Sequence, residues 1–329
     1  MQQPSCAYAC ARISALENGL LDRRAVKRMA DGSLEDAMRV LLDARYGNLP
    51  DATASDCERM IENVRAETAR EIRAISPKPE LTDLFLLETD VHNLKLLIKA
   101  RLLEQAEVPL LLGGLYEPEQ LKAAVAEQEY GLLPAALADA LDALEERLRV
   151  EAEPQRVSIA LDCAYLSYAL ETARRNHDAF AAAYFTALCD FDNVITLLRL
   201  RAMGAAREEL HEALLPEGGV RHEALLQAFE LSDEALLRAL SASPARDAIA
   251  AGLADMQRTG SIGALERARE DYLLSLVRPY RHDIASVQRL VGYLLARDRE
   301  ARAVRMIVTV KRNGLDDAVM QERVCELYG

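Results

Sequence analysis

The sequence predicts an all-α protein made of three similar helical units. Hydrophobic residues occupy 50% of the 329 positions, and the chain has only 15 Gly and 11 Pro, a composition that favours helix along most of its length. Segments typical of strands are scarce. The clearest, the β-branched stretch at residues 306–310, lies inside a repeated helical segment, so its register assigns it to a helix. Three copies of that segment indicate three units in one chain.

The repeated segment occupies residues 89–101, 189–201 and 299–311. In each copy an acid is followed three positions later by a small residue and eleven positions later by a base. These residues are Asp90, Asn93 and Arg101; Asp190, Asn193 and Arg201; and Glu300, Ala303 and Lys311. Eleven residues make about three helical turns, which places acid and base on nearly one face of a helix.

The simplest interpretation of the acid and base positions is electrostatic. We expect the acid near the N-terminus and the base near the C-terminus of its own helix, where each complements the helix dipole. A second hypothesis is that acids pair with bases of neighbouring units. Under both, the eight polar positions are structural repeat positions, not an active site.

Residues 1–108 form the first predicted unit. Asn18-Gly19 is typical of a helix end, and Asp22 and Ser33 are predicted N-caps of the two helices that follow. A long polar helix is predicted over residues 55–75. Ser76-Pro-Lys-Pro79 ends that helix, and the first repeated segment comes next.

Residues 109–210 and 211–329 repeat this order as the second and third units. Gly114 and Gly219 mark their openings as Gly19 marks the first, and predicted helices over 134–150 and 157–176 precede the second copy. The third unit has a long helical stretch over 247–277, interrupted at residues 259–261. No Gly/Ser-rich linker separates the units, so we expect them to pack on one another.

Charge and hydropathy exclude several classes of function. The net charge of −13 disfavours nonspecific binding to nucleic acid or anionic lipid. No apolar run approaches the roughly 20 residues of a membrane span, and residues 1–5 lack the basic start of a signal peptide. We therefore expect a cytoplasmic protein whose six cysteines, none in a C-x-x-C pair, are reduced.

Motifs for catalysis, cofactor binding or metal binding are absent from the sequence. It contains no phosphate-binding Gly-rich loop, nucleophile elbow or H-E-x-x-H pair. Asp190-Phe-Asp192-Asn193 is superficially similar to the Asp-rich metal-diphosphate motif of all-α prenyl-chain enzymes, but the repeat already accounts for Asp190 and Asn193. We predict no catalytic, cofactor or metal site, with an all-α enzyme and a helical scaffold as the alternatives.

Two segments resemble one known family. Tyr8-Ala-Cys-Ala-Arg-Ile-Ser-Ala-Leu-Glu17 is similar to the opening of the C subunit of V/A-type ATPases, the counterpart of the vacuolar ATPase d subunit, and Glu88–Arg101 resembles its Glu-x-x-Asn-Leu helix. Ala303, which stands where the first two units have Asn, departs from the repeat.

The resemblance implies a specific fold and role. The expected fold is a funnel of three helical units with pseudo-threefold symmetry. The expected role is that of a non-catalytic central-stalk subunit that couples the shaft subunits to the membrane proteolipid ring for ion transport. Such a protein lies on the cytoplasmic face of the membrane through its complex, without a span or a cofactor of its own.

Overall fold

The computed structural model describes residues 4–151 and 153–314, and in these ranges the chain is helical without strands, which confirms the predicted all-α class. The helices are α1 Cys6–Glu17, α2 Arg23–Asp31, α3 Leu34–Asp43, α4 Cys57–Ile75, α5 Pro79–Leu102, α6 Pro118–Glu127, α7 Ala135–Val150, α8 Pro154–Arg175, α9 Ala179–Met203, α10 Arg207–Ala213, α11 His222–Ala228, α12 Asp233–Ala239, α13 Arg246–Thr259, α14 Gly263–Val277 and α15 Gln288–Arg312. The stretch 306–310 lies within α15, as its register predicts.

Local capping explains where the early helices begin. Asp22 accepts a hydrogen bond from the Ala25 amide at the start of α2, and Ser33 forms a capping box with Asp36 at the start of α3. Each satisfies amides that have no partner within their own helix. Both predicted N-caps are confirmed.

Packing divides the chain into two compact units. The first contains residues 1–89, 111–115 and 277–329, and the second contains residues 90–110 and 116–276. The predicted three repeats, with boundaries after residues 108 and 210, and their closed arrangement stay predictions.

In the first unit, α4 packs along α15. Met60 and Ile61 of α4 share a buried cluster with Val304 and Ile307 of α15. The cluster also takes in the apolar faces of α2 and α3, so the last described helix completes the core around the second and third helices. Burial of such side chains stabilises the fold by about 1.5–3 kcal/mol each.

In the second unit, α8 packs between α7 and α9, and the core is partly aromatic. The Tyr165 and Phe185 rings meet edge to face at 6.0 Å between centroids, and Phe191 meets Tyr272 of α14 at 5.8 Å. One described helix, α9, is long and apolar enough to cross a membrane, but 67% of its apolar window is buried inside the protein. That burial is typical of a core helix.

Candidate functional site: three helix clamps

The three acids lie in the middle of long helices, not at helix starts. Helices α5, α9 and α15 begin about three turns before Asp90, Asp190 and Glu300, and these three residues are at most 1% exposed. The prediction that each acid complements the dipole of its own helix is therefore wrong. The helices extend back beyond the repeated segment, whose first residue is an interior helical position.

Asp190 binds two backbone amides and a hydroxyl. Its Oδ1 accepts hydrogen bonds from the amides of Gly219 and Val220 at 2.9 and 3.2 Å, and its Oδ2 accepts one from the Ser243 hydroxyl at 2.5 Å. The two amides belong to the turn that opens α11. The buried carboxylate thus holds the start of a different helix.

The turn must come very close to reach Asp190, and glycine makes this possible. A Cβ on Gly218 would lie 2.5 Å from Asp190 Oδ1 and 2.5 Å from the Thr186 carbonyl oxygen. A side chain at this position has no space, because one neighbour is a backbone atom of α9 and the other is a carboxylate oxygen held by two hydrogen bonds. Gly218 is thus a structural requirement of the site that spacing alone did not predict.

The other two acids bind the corresponding amides. Asp90 Oδ1 accepts from the Tyr116 amide at 3.3 Å, and Glu300 Oε2 accepts from the Leu21 amide at 2.6 Å. Tyr116, Val220 and Leu21 each immediately precede the N-cap residue of a short helix, α6, α11 and α2 respectively. The register of the contact is the same in all three places.

Two arginines bind the opposite ends of those same short helices. Arg101 donates to the Val125 carbonyl oxygen in the last turn of α6 at 2.8 Å. Arg201 donates to the carbonyl oxygens of Ala228 and Phe229 at the end of α11 at 2.9 and 3.0 Å.

Lys311 completes the pattern with a different side chain. Its ammonium donates to the carbonyl oxygens of Ala30 and Gly32 at the end of α2, at 2.7 and 2.5 Å. Both acceptors carry the partial negative charge of a helix C-terminus, which attracts a cation.

We call each acid–base pair and the short helix it holds a helix clamp. In the first clamp Asp90 and Arg101 hold α6, in the second Asp190 and Arg201 hold α11, and in the third Glu300 and Lys311 hold α2. The step of eleven positions from acid to base spans about 16 Å along the long helix. The short helices, of 7 to 10 residues, are about 10 to 15 Å long, so each fits between the two side chains. Each charge complements the dipole of the short helix. For the acids this is a different helix from the one predicted, whereas the bases also lie in the last turns of their own helices, as predicted.

The arginines of the first two clamps also bind a carboxylate on the next helix. Arg101 bonds both oxygens of Glu145 on α7, at 2.7 and 2.6 Å, and Arg201 bonds Asp233 on α12 at 2.8 Å. The described bases are thus engaged by these carboxylates and by carbonyl oxygens, which gives no support to acid–base pairing between copies. Glu145 and Asp233 have no common spacing from their arginines, which is why the sequence did not reveal them.

Asn193, the third polar position of the second copy, holds the segment that leads into α11. Its Oδ1 accepts from the Leu215 amide at 2.8 Å, and its Nδ2 donates to the Leu215 carbonyl oxygen at 3.3 Å. Asn93 is buried at the corresponding place. Ala303 has no polar side-chain atoms for such contacts, but the third clamp keeps its acid and base contacts without them.

Burial sets the protonation behaviour of the acids. Desolvation raises the pKa of Asp190 above its ordinary value, and hydrogen bonds from Ser243, Val220 and Gly219 oppose that rise in part. Desolvation also raises the pKa of Glu300, against the opposing effect of Arg297. Burial removes each carboxylate from water, which is unfavourable for its charged form, and the hydrogen-bond donors offset part of that loss.

The carboxylates that suggested an enzyme have structural partners. Asp190 binds the opening turn of α11, and Asp192 pairs with Arg269 of α14. Within residues 4–151 and 153–314, no group of three or more His, Cys, Asp or Glu side chains is placed to hold a metal ion. The arrangement can position backbone segments, and it offers no converging pair of carboxylates at the predicted Asp190–Asp192 motif.

Comparison with known proteins gives a consistent family. The sequence profile described as ATP synthase (C/AC39) subunit matches residues 9–323. The chain is 24% identical to the C subunit of the A-type ATP synthase of Pyrococcus abyssi over 98% of its length and 90% of that protein. It is 26% identical to the C subunit of the V-type ATP synthase of Thermus thermophilus, covering 97% and 98% of the two chains. The C subunit of the V-type sodium ATPase of Enterococcus hirae is 21% identical over 84% of each chain.

Replacing Gly218 with Ala tests the close approach at the second clamp. We expect Gly218→Ala to lower the free energy of unfolding by about 2–3 kcal/mol, because the new Cβ overlaps Asp190 and the α9 backbone. Gly131→Ala is the matched control, since a Cβ there meets nothing within 4 Å. Urea denaturation of the three proteins measures the effect. Equal stability of the two variants would contradict the packing described.

Replacing Arg201 with Met tests the base end of the second clamp. The change leaves the carbonyl oxygens at the end of α11 and the Asp233 carboxylate without their cation, and we expect a loss of about 2 kcal/mol. Arg199 lies on the same helix and forms an exposed pair with Glu266. Arg199→Met should therefore change stability by less than about 1 kcal/mol. A similar loss in both variants would mean that the clamp contact adds nothing.

The pH dependence of stability tests the burial of Asp190. The native pKa is raised above the unfolded value of 3.8, so the native state holds this proton more tightly. The carboxyl's contribution to stability is then greatest below the unfolded pKa and falls as pH rises through the native pKa. Asp190→Asn removes this titration. We expect the difference in unfolding free energy, wild type minus variant, to fall as pH rises from about 4 towards 7, as measured by denaturation at each pH. A difference that rises with pH would show that the native pKa is lowered.

Proposed function

Because the chain belongs to the ATP synthase (C/AC39) subunit family, we propose that it couples the central shaft of an A/V-type ATP synthase to the proteolipid ring in the membrane. Family membership makes it a non-catalytic component of that rotary complex, which has partner subunits and is associated with a membrane. The finer role, on the cytoplasmic face between shaft and ring, is the proposal.

The single observation that carries the proposal is the cyclic order of the clamps. The first two long helices each hold a short helix that comes later in the chain, but the last long helix, α15, holds α2 near the beginning of the chain. In an open solenoid each repeat contacts only its neighbours, so the last repeat does not contact the first. The order supports a closed set of three repeats with pseudo-threefold symmetry, divided near residues 108 and 210.

A closed set of clamped helices suits a torque-transmitting part. Each short helix is fixed at both ends by a charged side chain on a long helix, and hydrogen bonds to charged groups contribute about 1.5–3 kcal/mol each. Local opening of a short helix must break contacts at both ends, which raises the free energy of opening. The eight repeat positions therefore act as stiffening elements in this proposal, and the scaffold alternative lacks the cyclic order.

Recovery of partners from membranes tests the assembly. A tagged full-length chain expressed in its own source and purified from detergent-solubilised membranes should bring down both the shaft subunits and the proteolipid subunit. Repeating the purification with Arg201→Met, and with Arg199→Met as its control, relates the clamp to assembly. Recovery of shaft subunits without the proteolipid would contradict the proposed position.

Coupling is the second readout. In vesicles containing the complex without this chain, we expect ATP hydrolysis to continue while ATP-driven ion transport is lost, because the catalytic sites lie on other subunits. Adding back the wild-type chain should restore transport. Ion transport that proceeds at the full rate without the chain would contradict the coupling role.

A further inference from the structure

Among the described residues of the second unit, five large apolar side chains are exposed, and four of them recur at corresponding positions. Leu103 and Met203 stand two residues after the clamp bases Arg101 and Arg201, and they are 56% and 78% exposed. Exposed apolar side chains are common singly, but a recurrence at matched positions of two clamps is a pattern.

The other two apolar residues follow the short helices in the same way. Leu132 and Leu231 each stand two residues after a buried aromatic residue, Tyr130 and Phe229, that follows the held helix. They are 37% and 57% exposed. The first clamp thus has the pair Leu103 and Leu132, and the second clamp has the pair Met203 and Leu231.

Along the chain, both members of each pair follow the end of the clamp that holds the base. Arg101 binds a carbonyl oxygen in the last turn of α6, so the C-terminal ends of α5 and α6 lie side by side. Leu103 follows the end of α5, and Leu132 lies in the segment after α6. Arg201 brings the ends of α9 and α11 together in the same manner. We call this the base end of each clamp.

Exposed acidic residues flank three of the four apolar side chains along the chain, and Met203 has none within three positions. The exposed charged residues within three positions of the four apolar side chains are Glu104, Glu129, Glu230 and Glu234. The only basic residues within that distance are Arg101 and Arg201, and both are occupied by their clamp contacts. These glutamates repel anionic lipid head groups and favour a protein surface that carries Lys or Arg.

The third clamp lacks the pair. Asn313 stands two residues after Lys311 and is exposed, and α2 is followed directly by the cap of α3. The apolar pair is therefore not a by-product of the clamp geometry, since a clamp forms without it.

We infer that the base ends of the first and second clamps form a docking surface for a partner that presents one apolar, basic-flanked surface at least twice. Two like surfaces on one chain fit two like surfaces on a symmetric assembly of identical subunits. The inference rests on the proposed function, in which the occupant is the membrane-external face of the proteolipid ring. Binding buries Leu103, Leu132, Met203 and Leu231 against the ring, and the glutamates attract its cationic side chains.

The test measures binding of the full-length chain to the proteolipid ring purified in detergent from the same source. The variants are Leu103→Asn with Leu132→Asn, Met203→Asn with Leu231→Asn, and all four changes together. Val150→Asn is the matched control, because Val150 is apolar and 89% exposed but lies outside the repeated positions. Circular dichroism melting checks that each variant folds as the wild type does.

Each double variant should weaken ring binding about tenfold and to a similar extent, because both pairs meet the same surface. The fourfold variant should lose measurable binding, Val150→Asn should bind as the wild type does, and wild-type binding should weaken as salt rises.

Other outcomes overturn the inference in distinguishable ways. If the wild type binds the ring and the fourfold variant binds equally well, the surface is wrong while the proposed function stands. If the wild type does not bind the ring, the proposed function fails with it. If the wild type binds vesicles of anionic phospholipid and the fourfold variant does not, the surface contacts lipid. If the wild type dimerises through these residues, the occupant is a second copy.

Discussion

The structure depends on buried carboxylates that accept hydrogen bonds from backbone amides of another helix. Asp190, which is 1% exposed, accepts hydrogen bonds from two amides and one hydroxyl. A buried charge without partners is strongly unfavourable, and so is a buried turn with unsatisfied amides. The carboxylate and the amides satisfy each other's hydrogen bonds, and this pairing fixes the position of the turn.

The bases add a second fixed contact to the one made by the acids. A long helix that carries an acid and, eleven residues on, a base defines two anchors about 16 Å apart. Only a short helix with its N-terminus at the acid and its C-terminus at the base satisfies both. The clamp therefore sets the direction as well as the position of α2, α6 and α11, and its charges match the dipole of the helix being held.

The third clamp shows which parts of the pattern are essential. It uses Glu300 and Lys311 where the others use Asp and Arg, and Ala303 replaces the amide side chain, but its contacts with Leu21 and with the carbonyl oxygens of Ala30 and Gly32 are kept. A longer acid and a single ammonium perform the same two tasks. The three copies therefore share the contact and not the residue type.

The sequence by itself determined the all-α class, most helix positions, the N-caps at Asp22 and Ser33, and the eight repeat positions, because composition, capping and periodicity are local properties. Only the tertiary structure decided what those positions do. From the sequence alone, the acids look like complements of their own helix dipoles. In the structure they bind the amides of Tyr116, Val220 and Leu21, which come from distant segments, in the last case from the far end of the chain. Gly218, Ser243 and Glu145 stayed hidden for the same reason: their roles come from a close approach between distant segments, and a one-dimensional pattern does not record distances in space.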